Sequence, residues 1–187
     1  MRKIITISGN CGSGKSTVSS LVADKLKYKC YVMGDVMRKL AAEHNMDIVT
    51  FQEKIKNTKE FDHKVDNMII ELGKSNEEIV FVSRTAWHFI PDSFKVYLYV
   101  DEDEAAKRIY NDSVRINEKK YESIEEAKEF TIRRNKLEYD RYNKVYGIDV
   151  TNFNNYDLVI NTSNMEIEEV LNEIVEKYNE KLKNGMA

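Results

Sequence analysis

The 187-residue sequence contains few cysteines, few prolines and no long apolar segment. Its two cysteines, Cys11 and Cys30, are too few for a disulfide framework or a zinc site, which is typical of a reducing cytoplasm. One proline and seven glycines argue against a fibrous or linker-rich chain. Apolar runs of only a few residues exclude a membrane-spanning helix, and Met-Arg-Lys before a short β-branched run does not resemble a signal peptide. We therefore expect a soluble cytoplasmic protein without a membrane partner.

Charge of one sign is not in excess either. The 29 Lys and Arg residues against 32 Asp and Glu give a net charge of −3, which argues against a general binder of nucleic-acid polymers. A hydrophobic fraction of 42% with 10% aromatic residues is enough for a sizeable core and excludes a disordered chain. The length fits a single domain over residues 1–187, and nothing in the composition requires an obligate partner, so we expect a monomer.

Short β-branched runs alternate along the chain with longer stretches of helical periodicity. The predicted strands are Ile4–Ser8, Cys30–Met33, Ile79–Val82, Val96–Val100 and Leu158–Ile160. Strands buried on both faces have nearly continuous apolar sequences, and such strands alternating with helices are typical of a parallel sheet. The order predicts an α/β fold of three layers: a five-stranded parallel sheet between two layers of helices.

Two helical segments interrupt this alternation, at about 35–75 and at about 110–145. The spacing of Thr50–Glu53 predicts a capping box in the first segment, and Ser123–Glu126 predicts another in the second. Gly147 stands where a helix C-cap glycine is expected. We interpret both segments as insertions into the domain that close over substrates.

Residues 9–16, G-N-C-G-S-G-K-S, match the phosphate-binding pattern G-x-x-x-x-G-K-[ST] between a predicted strand and a predicted helix. The glycines let successive backbone N–H groups point at phosphate oxygens, and the helix N-terminus adds partial positive charge. Lys15 is placed for the outer phosphates, and the Ser16 hydroxyl is placed as a ligand of Mg²⁺. The predicted nucleotide-binding residues of the loop are Gly9, Asn10, Cys11, Gly12, Ser13, Gly14, Lys15, Ser16 and Thr17.

The loop alone does not separate a GTPase, a motor ATPase and a small-molecule kinase, although no N-K-x-D motif supports a GTPase. Transfer between two phosphates needs cations rather than a general base, because the acceptor oxygen is already ionised. Arginine suits this task because its guanidinium binds phosphate with two nitrogens and stays charged. Arg38 follows the second strand, and Arg84 directly follows the third, at the strand ends where open α/β sheets bind ligands.

Arg134 and Arg141 are seven residues apart and share one face of a predicted helix, with Glu138 between them. They are candidate catalytic residues. By themselves they are better explained as a solvated helix face with i,i+4 pairing.

Five segments together resemble one family. They are I-I-T-I-S-G-N-C-G-S-G-K-S-T at 4–17, G-D-V-M-R-K-L-A at 34–41, S-R-T-A-W-H at 83–88, T-I-R-R-N-K-L-E-Y-D-R-Y with Y-G-I-D within 131–149, and Y-D-L-V-I-N-T-S at 156–163. The combination resembles the nucleoside monophosphate kinases of the P-loop class, and within them the short archaeal-type cytidylate kinases and their bacterial relatives. The resemblance covers nearly the whole chain.

The resemblance implies an enzyme of pyrimidine metabolism that moves the γ-phosphoryl group of ATP, with Mg²⁺, to a nucleoside monophosphate by direct in-line transfer. CMP or dCMP is the implied acceptor, bound by the 35–75 insertion, and the 110–145 insertion is the implied lid. The implied catalytic residues are Lys15, Arg84, Arg134 and Arg141, the acceptor-binding residues are Asp35, Arg38 and Arg84, and Arg108 with the turn Asn161–Asn164 flanks the adenine.

The chain departs from this family at two acidic positions. Relatives carry a carboxylate near the end of the third strand, where this chain has Val82-Ser83-Arg84, and they have R-E where it has Arg134-Asn135. Asp35 or a later acidic residue is the candidate substitute. Two alternatives stay open. The two departures favour a nucleotide-binding protein without phosphoryl transfer. A kinase of a neutral metabolite needs an acidic base near the acceptor hydroxyl, so the missing carboxylate beside Arg84 counts against it.

Two further groups are candidates for the base of the acceptor. Trp87 with His88 follows Arg84 and either lines the base-binding site or packs in the core. One of three acidic residues in the first insertion could accept from the amino group of cytosine, although a solvated position is the simpler interpretation. These residues are Asp62, Asp66 and Glu71.

Overall fold

The computed structural model describes residues 3–55, 60–75, 77–112 and 121–184. Five parallel strands form one sheet in the order β2-β3-β1-β4-β5. Their bounds are β1 Ile4–Gly9, β2 Lys29–Val32, β3 Ile79–Val82, β4 Phe94–Tyr99 and β5 Leu158–Asn161. The predicted five-stranded parallel sheet is confirmed, and the strand ends differ from the predicted ones by at most two residues.

The helices follow the strands in the expected alternation. Their bounds are α1 Lys15–Leu26, α2 Met33–Glu43, α3 Ile48–Ile55, α4 Glu60–Lys74, α5 Ala86–Phe89, α6 Glu102–Asn111, α7 Ile124–Tyr146 and α8 Ile167–Asn184, with a short 3₁₀ turn at Phe153–Asn155. No helix in the described ranges is long and apolar enough to span a bilayer.

Alternate side chains of β1 enter two different cores, because successive residues of a strand point to opposite faces. Ile5 and Ile7 pack in a cluster with α1 and α8 through residues such as Val22 and Ile174. Ile4 faces the other side and packs in a cluster with α2, α4 and α5. The sheet is therefore covered on both faces, as the sequence predicts for three layers.

The predicted capping box at Thr50 is wrong, whereas the N-cap at Ser123 and the C-cap at Gly147 are confirmed. Helix α3 begins at Ile48, and its N-terminal N–H groups at Val49 and Thr50 donate to Asp47 Oδ1, each at 2.9 Å. Asp47 therefore caps this helix, since a carboxylate at the preceding position accepts from the first free N–H groups. In α7, Glu126 N donates to Ser123 Oγ at 3.1 Å, and Gly147 closes the helix with a φ of 68°.

The two interrupting segments meet above the carboxyl ends of the strands. Helices α2, α3 and α4 lie between β2 and β3, and α7 lies between α6 and β5. Phe51 and Ile55 of α3 share an apolar cluster with Phe130 and Leu137 of α7. Part of the second segment, 113–120, lies outside the described residues, as does 56–59 in the first. The acceptor-binding and lid roles of the two segments stay predictions.

Candidate active site

The turn from β1 into α1 requires glycine at two positions. Gly9 has a φ of 147°, and a Cβ there would stand 1.8 Å from the carbonyl oxygen of Leu98 on β4. Gly12 has a φ of 83°, and its Cβ would lie 2.9 Å from Ala105 of α6. Positive φ and contact with neighbouring backbone both disfavour any side chain. The loop therefore lies directly against β4 and α6.

Asn10 holds this loop onto the end of β4. Its side-chain amide donates to Val100 O at 2.8 Å and accepts from Val100 N at 3.1 Å. Its backbone carbonyl accepts from Lys15 Nζ at 2.5 Å and from Ser13 Oγ at 3.0 Å. The contribution of Asn10 to the site is therefore to fix the shape of the loop.

A cavity of about 720 Å³ extends from this loop across the carboxyl edge of the sheet to α2, α3, α4 and α7. Most of the predicted site residues line it: Cys11, Gly12, Gly14, Lys15, Ser16, Thr17, Asp35, Arg38, Arg84, Arg134 and Arg141. Four predicted residues are outside its lining: Gly9, Asn10, Ser13 and Arg108. The structure thus brings the predicted arginines of three separate segments to one space with the phosphate-binding loop.

Glu138 joins two of these arginines. Its Oε2 accepts from Arg84 Nε at 2.6 Å, and its Oε1 accepts from Arg134 Nε at 3.2 Å. Arg134, Glu138 and Arg141 are 7%, 6% and 7% exposed, so the interpretation of this face as solvated is wrong. The helix turns the whole stripe toward the cavity, since residues three and four apart share a face. Glu138 is the functional candidate that sequence reasoning set aside.

Burial and the charges of this cluster shift the pKa values of Glu138 and Lys15. Burial alone would raise the pKa of Glu138, but the Arg84, Arg134 and Lys15 cations outweigh it and lower that pKa to about 2. Burial, together with the positive charge of Arg84, lowers the pKa of Lys15 well below its usual range. The cations here have too little negative charge around them, and the phosphate groups of a nucleotide would supply it.

Arg84 uses only its Nε in the contact with Glu138. Its terminal nitrogens have no partner among the described residues, and the side chain is 15% exposed to the cavity. Trp87 donates its indole N–H to the Arg84 carbonyl at 2.8 Å and is itself buried. Trp87 is absent from the cavity lining, so its role is to pack beneath Arg84 and fix the backbone there.

Two other arginines line the part of the cavity that the first insertion forms. Arg141 Nη1 donates to the carbonyl of Ile55 at the end of α3 at 2.8 Å, which ties α7 to the first insertion. Arg38 pairs with Asp35 one turn earlier on α2, where Asp35 is exposed. Of the candidate substitutes for the missing strand-end carboxylate, Asp35 sits at the rim, whereas Glu138 contacts Arg84 itself.

The second departure from the family pattern also makes a contact. Asn135 Oδ1 accepts from the backbone N–H of Cys11 in the phosphate-binding loop at 2.9 Å. The Cys11 side chain is buried against Ile109 of α6 and Ala127 of α7. Helix α7 is therefore docked on the loop by one hydrogen bond and a small apolar cluster.

Arg108 lies behind the loop, on α6. It donates to the carbonyl of Thr162 at 2.7 Å and to Glu104 at 3.0 Å. Thr162 in turn donates its hydroxyl to Ser13 O at 3.4 Å. Arg108 thus holds the chain after β5 against the phosphate-binding loop, next to the turn that the resemblance assigns to the adenine.

The same part of the cavity contains two buried polar residues besides the arginines. Asp66 of α4 is 5% exposed and accepts from the Tyr146 hydroxyl, so its solvated interpretation is wrong. Gln52 of α3 is 8% exposed and was not identified from the sequence. Glu71 is exposed and pairs with Lys74, as expected of a solvated residue, and the side chain of Asp62 lies outside the described part of the chain.

The residues present fit a magnesium-bound nucleotide. The Ser16 hydroxyl lines the cavity one residue after Lys15, and it has no hydrogen-bond partner in the described ranges. A hydroxyl at the first turn of the helix after a phosphate-binding loop is a hard oxygen ligand of the kind that Mg²⁺ takes beside phosphates.

Comparison with known proteins identifies the family of the chain. Residues 4–164 match the family described as the cytidylate kinase-like family. A cytidylate kinase of Methanothermobacter thermautotrophicus is 34% identical over 165 residues, which cover 88% of this chain and 98% of that protein. An S-adenosylmethionine-dependent nucleotide dehydratase of Lacinutrix mariniflava is 35% identical over 179 residues, 95% of this chain. The chain spans only 36% of that relative's length.

Solved structures agree on the fold. A shikimate kinase from Bacteroides thetaiotaomicron superposes with a TM-score of 0.62 over 94% of this chain and 98% of that one. At 16% sequence identity, this likeness shows the P-loop kinase fold alone. The chain itself belongs to the cytidylate kinase-like family and is an enzyme, a nucleoside monophosphate kinase that uses ATP and Mg²⁺.

Proposed function

We propose that the enzyme transfers the γ-phosphoryl group of ATP to CMP or dCMP, forming CDP or dCDP. One observation carries this proposal: Lys15, Arg84 and Arg134 meet in one cavity that continues from the phosphate-binding loop to the insertion helices. Two nucleotides placed end to end would bring their phosphates together at this point. Clustered cations are what such a transfer needs, because they offset the repulsion between two anions.

Each residue has a separate part in the proposed mechanism. Lys15 and the N–H groups of the loop bind the ATP phosphates, while the free terminal nitrogens of Arg84 bind the acceptor phosphate with Arg38. Arg134 and Arg141 stabilise charge on the phosphoryl group in transit. The Ser16 hydroxyl would hold Mg²⁺, which would supply positive charge that offsets part of the phosphate charge. The acceptor oxygen attacks in line, without a covalent enzyme intermediate.

The pKa of Glu138 argues against a neutral acceptor. A kinase of a hydroxyl-bearing metabolite works best with a general base whose pKa lies near the working pH. Glu138 is the carboxylate in contact with Arg84, and its pKa of about 2 makes it a weak base. An acceptor that is already ionised, such as a nucleoside monophosphate, does not need one.

The side of the cavity lined by α2 and α4, where the proposed acceptor binds, favours a cytosine base. Met33, Met37 and Val65 provide apolar walls, and the Asp66 carboxylate lies among them. A carboxylate accepts hydrogen bonds and suits the amino group of cytosine better than the oxo group of uracil. The homologous proteins that bear the name cytidylate kinase agree with this choice.

The test is ADP release in a coupled assay with ATP, Mg²⁺ and a panel of CMP, dCMP, UMP, AMP and GMP. We expect turnover that depends on the monophosphate and is fastest with CMP or dCMP. Lys15→Ala should abolish turnover with every acceptor, because it removes the cation beside the ATP phosphates. ATP binding without turnover on any monophosphate would refute the proposal.

The proposal includes a monomer in the cytoplasm. Light scattering after gel filtration should give the mass of one 187-residue chain, both without ligands and with ATP and CMP. A stable dimer would contradict this part of the proposal alone.

A further inference from the structure

Gln52 is a buried amide with one unused end. The residue is 8% exposed and lines the cavity from α3, and its Oε1 has no hydrogen-bond partner among the described residues. In the described ranges, one other buried side-chain atom lacks a hydrogen-bond partner: Oε2 of Glu77, at the opposite end of the sheet. A buried acceptor without a donor is unfavourable, so a ligand that supplies the donor gains affinity.

Glu138 determines which end of the amide is free. Gln52 Nε2 lies 3.4 Å from Glu138 Oε1. With a pKa of about 2, Glu138 is ionised at neutral pH and can only accept hydrogen bonds. The NH₂ group of Gln52 must therefore face Glu138, which leaves its oxygen for the ligand.

The surroundings of Gln52 favour a flat base over a sugar. Ile48 lies one turn earlier on the same face of α3 and lines the cavity, as do Met37 of α2 and Val65 of α4. Such apolar side chains suit the faces of an aromatic ring. Asp66, beside Val65, gives the same cavity a second side-chain oxygen that accepts.

We propose that Gln52 determines base specificity: with a small rotation of its amide, Oε1 accepts an N–H from the exocyclic amino group of the acceptor base. This inference rests on the proposed function, and it identifies Gln52 as the residue that selects the base of the acceptor. An oxo base would place one acceptor against another and leave both unpaired, which a site built for a donor disfavours strongly. The same amide donates to Glu138, so a bound amino base also holds the arginine cluster in place.

The test compares Gln52→Met with the wild-type enzyme on CMP, dCMP and UMP. Methionine has a similar length but offers no comparable acceptor. We expect the ratio of kcat/KM for CMP over UMP to fall about tenfold, chiefly through CMP, the size expected for one lost hydrogen bond. The effect on dCMP should equal that on CMP, and KM for ATP should stay unchanged.

Two results would overturn the inference. An equal loss on CMP and UMP would mean that Gln52 only holds Glu138, and a loss on CMP but not on dCMP would mean that the oxygen contacts a sugar hydroxyl. Gln52→Glu keeps an acceptor oxygen at the same reach and should retain the preference for CMP over UMP, although like charge beside Glu138 lowers the overall rate.

Calorimetry can measure the affinities of the wild-type protein for CMP and UMP. This measurement tests the inference without depending on turnover or on the folding of a variant. We expect CMP to bind about tenfold more tightly than UMP. Equal affinities would refute a base-reading role for Gln52 even if both are phosphorylated. Absence of turnover with a clear preference for CMP in binding would refute the proposed function and leave the inference intact.

Discussion

Arg84 makes its structural contact through Nε and leaves its two terminal nitrogens for a ligand. Its Nε is held by Glu138, and its carbonyl accepts from the indole of Trp87, so the terminal nitrogens are oriented before any ligand binds. Side chains that are fixed in advance lose less entropy on binding. The sequence could indicate Arg84 as functional from its place after β3, but it could not show the two contacts that orient it.

Arg84→Ala should act on the acceptor rather than on ATP. Losing a charged hydrogen-bond donor to phosphate costs about 1.5–3 kcal/mol, so we expect kcat/KM for CMP to fall by about 10- to 100-fold. The KM for ATP should change by less than about twofold, because Lys15 and the loop remain. Steady-state kinetics with each substrate varied in turn measures both values.

Arg133 provides the matched control for this substitution. It lies on α7, where its side chain is 61% exposed and pairs with Glu53 at the surface. Arg133→Ala should leave both kinetic constants nearly unchanged, since exposed ion pairs contribute little. Full activity of Arg84→Ala at low CMP concentration would show that its free nitrogens do not bind the acceptor.

Helix α7 shows how far an element can be predicted and where prediction ends. Its buried positions are Ala127, Thr131, Arg134, Glu138 and Arg141, spaced by four, three, four and three residues. A stripe at this spacing is normally apolar and faces a core. Here most of the stripe is polar, and this was the available signal that the face lines a site rather than solvent.

The contacts of α7 with other elements could not be predicted in the same way. Asn135 and Cys11 are 124 residues apart, and Gln52 and Glu138 are 86 apart. Periodicity reports which face of a helix is buried, but it carries no information about which distant segment covers that face. The strands were predictable because burial on both faces leaves a continuous apolar run in the sequence itself.

Asn135→Ala should weaken the docking of α7 on the phosphate-binding loop. The change removes the acceptor for the Cys11 N–H and leaves that N–H with water or without a partner. A net loss of about 0.5–1.5 kcal/mol predicts that kcat/KM for ATP falls about 2- to 10-fold. The KM for CMP should change less, because Asn135 contacts the phosphate-binding loop.

Asn143→Ala is the matched control on the same helix. Asn143 is exposed on α7, two turns further on, and its side chain makes no hydrogen bond in the described ranges. Its replacement should leave kcat/KM for ATP unchanged. If the two alanine variants have the same kinetics, the contact between Asn135 and the loop does not contribute to ATP use.

At the scale of the whole molecule, Glu138 connects three segments that are far apart in the chain. Its carboxylate accepts hydrogen bonds from Arg84 at the end of β3, from Gln52 on α3 and from Arg134 on its own helix. Removing the charge of one partner in a buried cluster leaves the others uncompensated, which is strongly destabilising. The stability of the folded chain should therefore depend on whether Glu138 is ionised.

This dependence sets the pH range in which Glu138 stabilises the fold. Its pKa drops from 4.5 to about 2 on folding, so its contribution is complete above about pH 5 and is lost as the pH falls toward 2. The drop corresponds to about 3 kcal/mol. Glu138→Gln, which is neutral at every pH, should be less stable than the wild type by about this amount at pH 7.

Denaturant unfolding at pH 7, 5, 4 and 3 measures the difference in unfolding free energy between the two proteins. We expect the difference to narrow steadily below pH 5, because protonated Glu138 in the wild type then resembles glutamine. Glu71→Gln, at an exposed ion pair, should match the wild type at every pH. A difference for Glu138→Gln that is the same at pH 7 and pH 3 would mean that hydrogen-bond geometry, rather than the charge of Glu138, holds the cluster together.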